Sequence, residues 1–259
     1  MLQYCKVMLW ETAFLSVIVV SLVSFVGVFT LSLSTVRLRK ILFALISLSV
    51  GALLGDVFLH ILPELDITPV SMTFVFVGFL IFFILEKFLL WHHGHEGEVH
   101  DPAIELDRSH NNKHIGYLNI ISDGLHNFID GLVIGGSYLV SMEVGIATTI
   151  AVILHEIPQE IGDFGLLMHV GFSRSRALFY NFISALAAVV GLGVVFLIQS
   201  GSENIISAIL PVTAGGFLYI AASDLVPELH KVNQPAKSLV QLLSIITGFG
   251  LMALLLAVE

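Results

Sequence analysis

Ser122-Asp123-Gly124-Leu125-His126-Asn127-Phe128-Ile129-Asp130-Gly131 and, in the next apolar stretch, His155-Glu156-Ile157-Pro158-Gln159-Glu160-Ile161-Gly162-Asp163 set imidazoles, amides and acids inside runs that otherwise read as membrane helices. A charged residue at the centre of a bilayer helix costs about 2.5–3.5 kcal/mol on insertion scales. The five carboxylates of these two stretches would together cost on the order of 10 kcal/mol unless something compensates them. A divalent cation does so economically, because it neutralises two charges and takes up the imidazole lone pairs. The pair of stretches therefore predicts a membrane fold built around a cation.

Working outward, the composition agrees. Hydrophobic residues make up 56% of the 259 and charged residues 12%, where soluble domains carry about 25% charge. Apolar runs of about 20 residues predict an all-α integral membrane protein with eight transmembrane helices near 11–33, 41–62, 68–91, 116–140, 143–169, 175–198, 204–227 and 238–257. Residues 1–259 then form a single multi-pass domain. The opening MLQYCKVMLW lacks a basic leader and a following cleavage site, so the first run is expected to be a retained helix. The lone Cys5 excludes an internal disulfide and a multi-cysteine zinc knot. The net charge of −9 says little about partners, since many acids lie in or beside the spans. The lipid bilayer and divalent metal ions are the expected partners, and no nucleic acid.

With eight spans the connections alternate sides. Arg37, Arg39, Lys40, Lys87, Arg108, Lys113, Arg174, Arg176, Lys231 and Lys237 share one side, and only Lys6 lies on the other. The positive-inside rule makes the first side cytoplasmic. Both termini are then expected outside a cell (inner or plasma) membrane. One connection is long: 92–115 is a His-rich cytoplasmic loop containing His92, His93, His95 and His100, and continuing to His110 and His114. Such tracts bind zinc or nickel loosely. Metal buffering and a plain solvated linker are equally good readings of it.

A hint of internal symmetry appears at two span ends. The second reads His60-Ile61-Leu62-Pro63-Glu64-Leu65, and the seventh Asp224-Leu225-Val226-Pro227-Glu228-Leu229-His230. These spans run in opposite directions, as in the inverted repeats of many transporters. The repeat would frame the chain as three spans, a central pair and three spans, with the polar stretches in the central pair.

Helical residues four apart share a face. His126, Asn127 and Asp130 form one patch, with Ser122 and Asp123 a turn below. His155, Glu156, Gln159, Glu160 and Asp163 line a stripe on the fifth span. At equal rise per residue, counting from inner ends near 115 and 170, Asp130 is expected level with His155, His126 with Gln159, and Asp123 with Asp163. Pro158 removes a backbone hydrogen bond to Leu154, and the freed oxygen and kink are expected to open space for an ion. Gly124, Gly131 and Gly162 permit close helix approach. Imidazole with carboxylate suits Zn²⁺, Fe²⁺ or Mn²⁺. The expected first set is His126, Asp130, His155 and Gln159; Asn127, Glu156 and Glu160 would form a more oxygen-rich second set sharing Asp130. Asp56 and His60 divide evenly between path lining and packing, and Asn181 could reach the site. Glu64, Asp224 and Glu228 are expected to be solvated. The Phe-rich third span (Phe74, Phe76, Phe79, Phe82, Phe83) is expected to face lipid.

His126-Asn127-x-x-Asp130-Gly131 and His155-Glu156-x-Pro158-x-Glu160-x-Gly162-Asp163 together resemble the ZIP (ZRT/IRT-like) metal transporter family, and in particular the subfamily whose fifth span reads His-Glu-x-Pro-His-Glu-x-Gly-Asp. Span number, outward termini and the His-rich third connection fit the same resemblance. It implies a binuclear site in the transport path. One metal position would match His126, Asp130, His155 and Gln159; the other would match Asn127, Asp130, His155, Glu156 and Gln159. It also implies a homodimer and an elevator-like alternation of the central bundle. Gln159 stands where that subfamily often has His.

The function expected on these grounds is a carrier admitting Zn²⁺ (or Fe²⁺, Mn²⁺ or Cd²⁺) as substrate to the cytoplasm. The chain has no Gly-x-x-x-x-Gly-Lys-Ser/Thr loop for ATP, so a gradient must drive it. The rival is an intramembrane zinc-dependent hydrolase or peptidase, because His155-Glu156 begins like His-Glu-x-x-His; here Gln159 replaces the second His. A third reading, a metal-sensing scaffold, rests on the His-rich loop. Deleting 92–100 separates these: a carrier keeps most of its metal flux, whereas a sensor loses its response, as read by radiolabelled zinc uptake.

Overall fold

The computed structural model of the protein describes residues 2–30, 33–94, 113–198, 203–231 and 234–257. Among the described residues every regular element is helical. The first helix spans 2–30, as Leu2–Val23, a 3-10 turn Ser24–Val26 and Gly27–Thr30. The second, Thr35–Asp56, continues through a π turn Val57–Ile61 and a 3-10 turn Leu62–Glu64. The third is Pro69–Gly94, the fourth Lys113–Val140 and the fifth Met142–His169. The sixth joins Arg174–Ala185 to Ala187–Ile198. The seventh runs Glu203–Tyr219, a π turn Ile220–Leu225 and Val226–His230; the eighth is Pro235–Leu255.

Among the described residues five helical stretches are long and apolar enough to cross a membrane: Leu9–Phe29, Lys40–Glu64, Arg174–Ile198, Ala208–His230 and Pro235–Leu255. The fourth and fifth helices, 28 residues each, carry the polar stretches instead. The third helix reaches Gly94 and the fourth begins at Lys113. His92 and His93 are therefore helical rather than part of the loop expected over 92–115, and His95 and His100 lie outside the described residues.

Close packing at glycine fixes which helices are neighbours. A Cβ on Gly51 would sit 2.0 Å from the Ile245 carbonyl oxygen, and one on Gly248 2.1 Å from that of Leu48, so the second and eighth helices touch backbone to backbone. The third and seventh do the same through Gly78 and Gly215, at 2.1 Å from Val212 O and 1.9 Å from Val75 O. Gly131 and Gly191 join the fourth and sixth in the same way, at 1.9 Å from Ala188 O and 2.0 Å from Phe128 O. Hydrocarbon drives no helix association in lipid, so these contacts rest on dispersion between closely approaching backbones.

Two expectations change. Phe74, Phe76 and Phe83 are exposed as predicted, but Phe82 is buried, because it lies against Gly216, whose added Cβ would be 2.3 Å from its ring. The fifth helix runs unbroken through Pro158. The Leu154 oxygen that the proline leaves free accepts a 2.6 Å hydrogen bond from Ser49 of the second helix. That carbonyl is thus capped by a neighbouring helix rather than left open to an ion.

Replacing Gly51 by Ala should overpack the second and eighth helices and destabilise the fold by about 1–3 kcal/mol. Gly162→Ala, with nothing within 4 Å of its added Cβ, should leave stability unchanged. Thermal unfolding in detergent, followed as loss of the monodisperse species, measures both.

Candidate metal centre

The fourth and fifth helices are joined by a single residue, Ser141, whose hydroxyl caps the fifth by accepting from the Val144 N–H at 3.1 Å. So short a turn makes the helices antiparallel neighbours, and residues equally far from Ser141 face each other. His126 and Asp130, one turn apart, thereby meet His155 and Glu156. The Nε2 atoms of His126 and His155 are 3.3 Å apart. His126 Nε2 is 3.6 Å from Asp130 Oδ2 and 3.4 Å from Glu156 Oε1, and His155 Nε2 is 3.6 Å and 3.5 Å from the same oxygens. Zinc bonds of about 2.0–2.2 Å at tetrahedral angles separate their donors by about 3.3–3.6 Å. These five separations match those between neighbouring ligands of one zinc ion, and all four donor atoms lie within 4.8 Å of one another.

The electrostatics suit a divalent ion. Two carboxylates with two neutral imidazoles sum to a charge that one such ion cancels. Neither Asp130 oxygen nor Glu156 Oε1 accepts a hydrogen bond, although all three atoms are buried, a costly state for an acid with nothing beside it. His155 Nδ1 lies 3.2 Å from the Ala151 carbonyl, which can only accept, so Nδ1 carries the proton and Nε2 presents its lone pair to the cluster. Of the four side chains only His126 is reached by solvent, at 18% exposure.

A second group adjoins the first. Asp123, Glu156 and Glu160 bring carboxylate oxygens within 4.8 Å of one another, so Glu156 belongs to both. Asn127 Nδ2 donates to Asp123 Oδ1 at 2.9 Å, and Ser184 donates to Asp123 Oδ2. Asn181 of the sixth helix donates to the Glu160 carboxylate and, at 3.1 Å, to its backbone oxygen. Glu160 Oε1 and Asn127 Oδ1 remain buried without a hydrogen bond. Beyond this group Asn119 Nδ2 donates to Asp163 at 3.0 Å.

The register differs from the one expected. Asp130 does reach His155, at 3.6 Å between Oδ2 and Nε2. His126, however, meets Glu156; Gln159 reaches Asp123, at 3.4 Å; and Asp163 accepts from Asn119 while lying near enough to Asp123 for their charges to interact. Hydropathy placed the inner ends at 115 and 170, whereas the pivot at Ser141 sets the pairing almost one turn away. Glu156 thus stands with His126, Asp130 and His155 in the first group of acid and imidazole donors and is common to both groups. Asn181 does reach the site. Asp56 and His60 lie apart from it, buried beside Thr148. Glu64 and Glu228 are exposed as expected, and the Asp224 side chain lies outside the described residues. Asn119, Ser184, Ser49 and Thr148 were not anticipated. Asn181 and Ser184, three apart on an apolar helix, carry a signal that spacing could have revealed.

Residues 92–256 match the family model described as ZIP Zinc transporter. Zinc transporter ZIP13 of Danio rerio is 35% identical over 274 residues, covering 85% of this chain and 76% of that protein. Zinc transporter YKE4 of Saccharomyces cerevisiae is 34% identical, covering 82% of this chain and 70% of its own. Metal cation symporter ZIP14 of Bos taurus is 42% identical over 149 residues, covering 54% and 30%.

Gln159→His would set an imidazole one turn from His155, between the two groups. Zinc affinity, measured by competition with a chelator, should rise about tenfold or more, the scale of one added nitrogen ligand; an unchanged affinity would show that position 159 takes no part in binding.

Proposed function

This chain belongs to the ZIP zinc transporter family, and on that premise we propose that it carries zinc into the cytoplasm through two adjoining sites between its fourth and fifth helices. The observation that carries this reading is the buried cluster of His126, Asp130, His155 and Glu156, whose charge and donor separations fit one divalent ion. Zn²⁺ is the substrate best matched to two imidazoles and two carboxylates, and Fe²⁺, Mn²⁺ or Cd²⁺ could occupy the same donors.

Transit follows from the sharing of Glu156. An ion leaving the tetrahedron exchanges imidazoles for Asp123 and Glu160 while Glu156 stays bound. An all-oxygen site holds zinc less tightly than one with two nitrogens, so the second site favours release. From there Gln159, Asn119 and Asp163, all half-buried, lead toward the helix ends at Lys113 and His169, on the side where the lysines and arginines collect. Positive charge on that side supports a cytoplasmic assignment, with both termini outside the cell membrane. Inward movement of a divalent ion gains about 4.6 kcal/mol per 100 mV, roughly three decades of concentration, so a gradient suffices.

The inverted three-two-three frame is supported by features that repeat between halves. Gly51 and Pro63 of the second helix stand in the same relation as Gly215 and Pro227 of the seventh, and each helix carries a π turn just before its Pro-Glu-Leu. The contact of the second helix with the eighth mirrors that of the seventh with the third. A homodimer with an elevator-like central bundle is the assembly that best uses this frame.

The hydrolase alternative is set aside. The relatives are transporters by name, and a metallohydrolase keeps one coordination position open for water, whereas four protein donors close this tetrahedron. His126→Ala or His155→Ala should abolish zinc flux into liposomes while the protein inserts normally. Wild-type flux in both variants would overturn the assignment.

A further inference from the structure

The fourth and sixth helices run side by side in the same direction, and both begin at the end of the bundle where lysines and arginines collect. Three rings tie these two beginnings together. Tyr117 lies 5.3 Å from Phe172 and 5.8 Å from Tyr180, and Phe172 lies 5.6 Å from Tyr180, all between ring centroids. Phe172, from the turn after the fifth helix, is buried against Gly116, whose added Cβ would be 2.7 Å from its ring. Lys113 stands one turn before Tyr117, and Arg176 one turn before Tyr180. Residues four apart share a helix face, so the two cations meet at one level, with Arg174 beside them at the start of the sixth helix. All three are exposed, and Arg176 is close enough for its charge to reach Tyr180.

The charge at this corner is uncompensated. No Asp or Glu occurs in 113–122 or in 164–180, and among the described residues none of the three cations forms an ion pair, whereas Lys231 is committed to Glu228. Further into the membrane the same surface turns apolar. Ile121 and Leu125 follow Tyr117 at four-residue spacing on the fourth helix, Phe179 and Ile183 follow on the sixth, and all are exposed. From Lys113 to Leu125 the rise is about 18 Å, close to the depth of a head group and one leaflet's hydrocarbon of about 15 Å. Asn119 meets Asp163 of the fifth helix, on the face turned away from Tyr117, so this seam lies outside the ion path.

We propose that the seam between the fourth and sixth helices holds one anionic phospholipid. Lys113, Arg174 and Arg176 take its phosphate, the Tyr117 hydroxyl meets the glycerol level, and an acyl chain lies along the two apolar stripes. Tyrosine favours that boundary because its ring is apolar and its tip polar. Basic corners between membrane helices suit anionic head groups. A zwitterionic lipid brings its own cation to the same place and gains less. The inference is independent of the metal sites, and its failure leaves the carrier reading untouched.

The test delipidates the full chain in detergent and titrates it with phosphatidylglycerol, with phosphatidylcholine of the same acyl chains, or with inorganic phosphate. Bound lipid is counted by native mass spectrometry. Wild type should hold a single phosphatidylglycerol about tenfold more tightly than phosphatidylcholine, and phosphate at the same concentration should not displace it. Lys113→Gln/Arg174→Gln/Arg176→Gln should abolish the preference, while Arg37→Gln/Lys40→Gln, which removes charge from the same side elsewhere, should keep it. A preference retained in the triple variant, or lost equally in the control pair, overturns the proposal. Displacement by phosphate does so too, since it marks an anion site that needs no lipid. Should the triple variant fail to insert, Arg176→Gln alone should lower the preference about threefold and Arg176→Lys should preserve it; an unchanged ratio in Arg176→Gln overturns the proposal.

Discussion

Acid groups shut away from water between two helices joined by one residue are the constraint on which the rest of the structure turns. Asp123, Asp130, Glu156 and Glu160 are all buried, and a membrane interior would expel them individually. Their environment is divided in two. Ser184, Asn127 and Asn181 supply donors to Asp123 and Glu160, while Asp130 and Glu156 accept no such bond at the oxygens that face the imidazoles. The first arrangement orients two acids through donors on the fourth and sixth helices and leaves Glu160 Oε1 without a bond. The second leaves lone pairs committed to whatever occupies the centre.

The surroundings serve that division. Glycine contacts weld the second helix to the eighth, the third to the seventh and the fourth to the sixth, with no side chain between them. The fifth helix has no comparable weld: it packs through Phe164, Leu167 and the alanines of its buried face. It packs on the second helix through a shared apolar core that includes Leu53, Val57, Ala151 and Val152, and through the polar contacts of Ser49 with Leu154 and Thr148 with Asp56.

Much of this was legible in the residues. The eight helices follow from apolar runs, and the cluster follows from four-residue spacing of His126 with Asp130 and of His155 with Gln159. What failed was register. Hydropathy blurs a helix end by several residues, and the facing pairs depend on the turn, where Ser141 is an ordinary serine to any composition rule. Glu156 accordingly lies within reach of both imidazoles, a closeness that spacing alone had not shown. Supporting donors such as Asn119 and Ser184 were illegible for another reason. A lone hydroxyl or amide in an apolar helix bonds its own backbone as readily as a neighbour, and only the packing of three helices decides.

The bond between Ser49 and the oxygen stranded by Pro158 acts as a mechanical detent. A proline alone would leave the fifth helix with a standing defect in a dry interior; the hydroxyl heals it at one axial position. Sliding by a fraction of a turn would bare the carbonyl before any new donor could be found. Any displacement along this seam must first break that bond, so Ser49 works as a notch that fixes the axial position of Pro158 against the second helix.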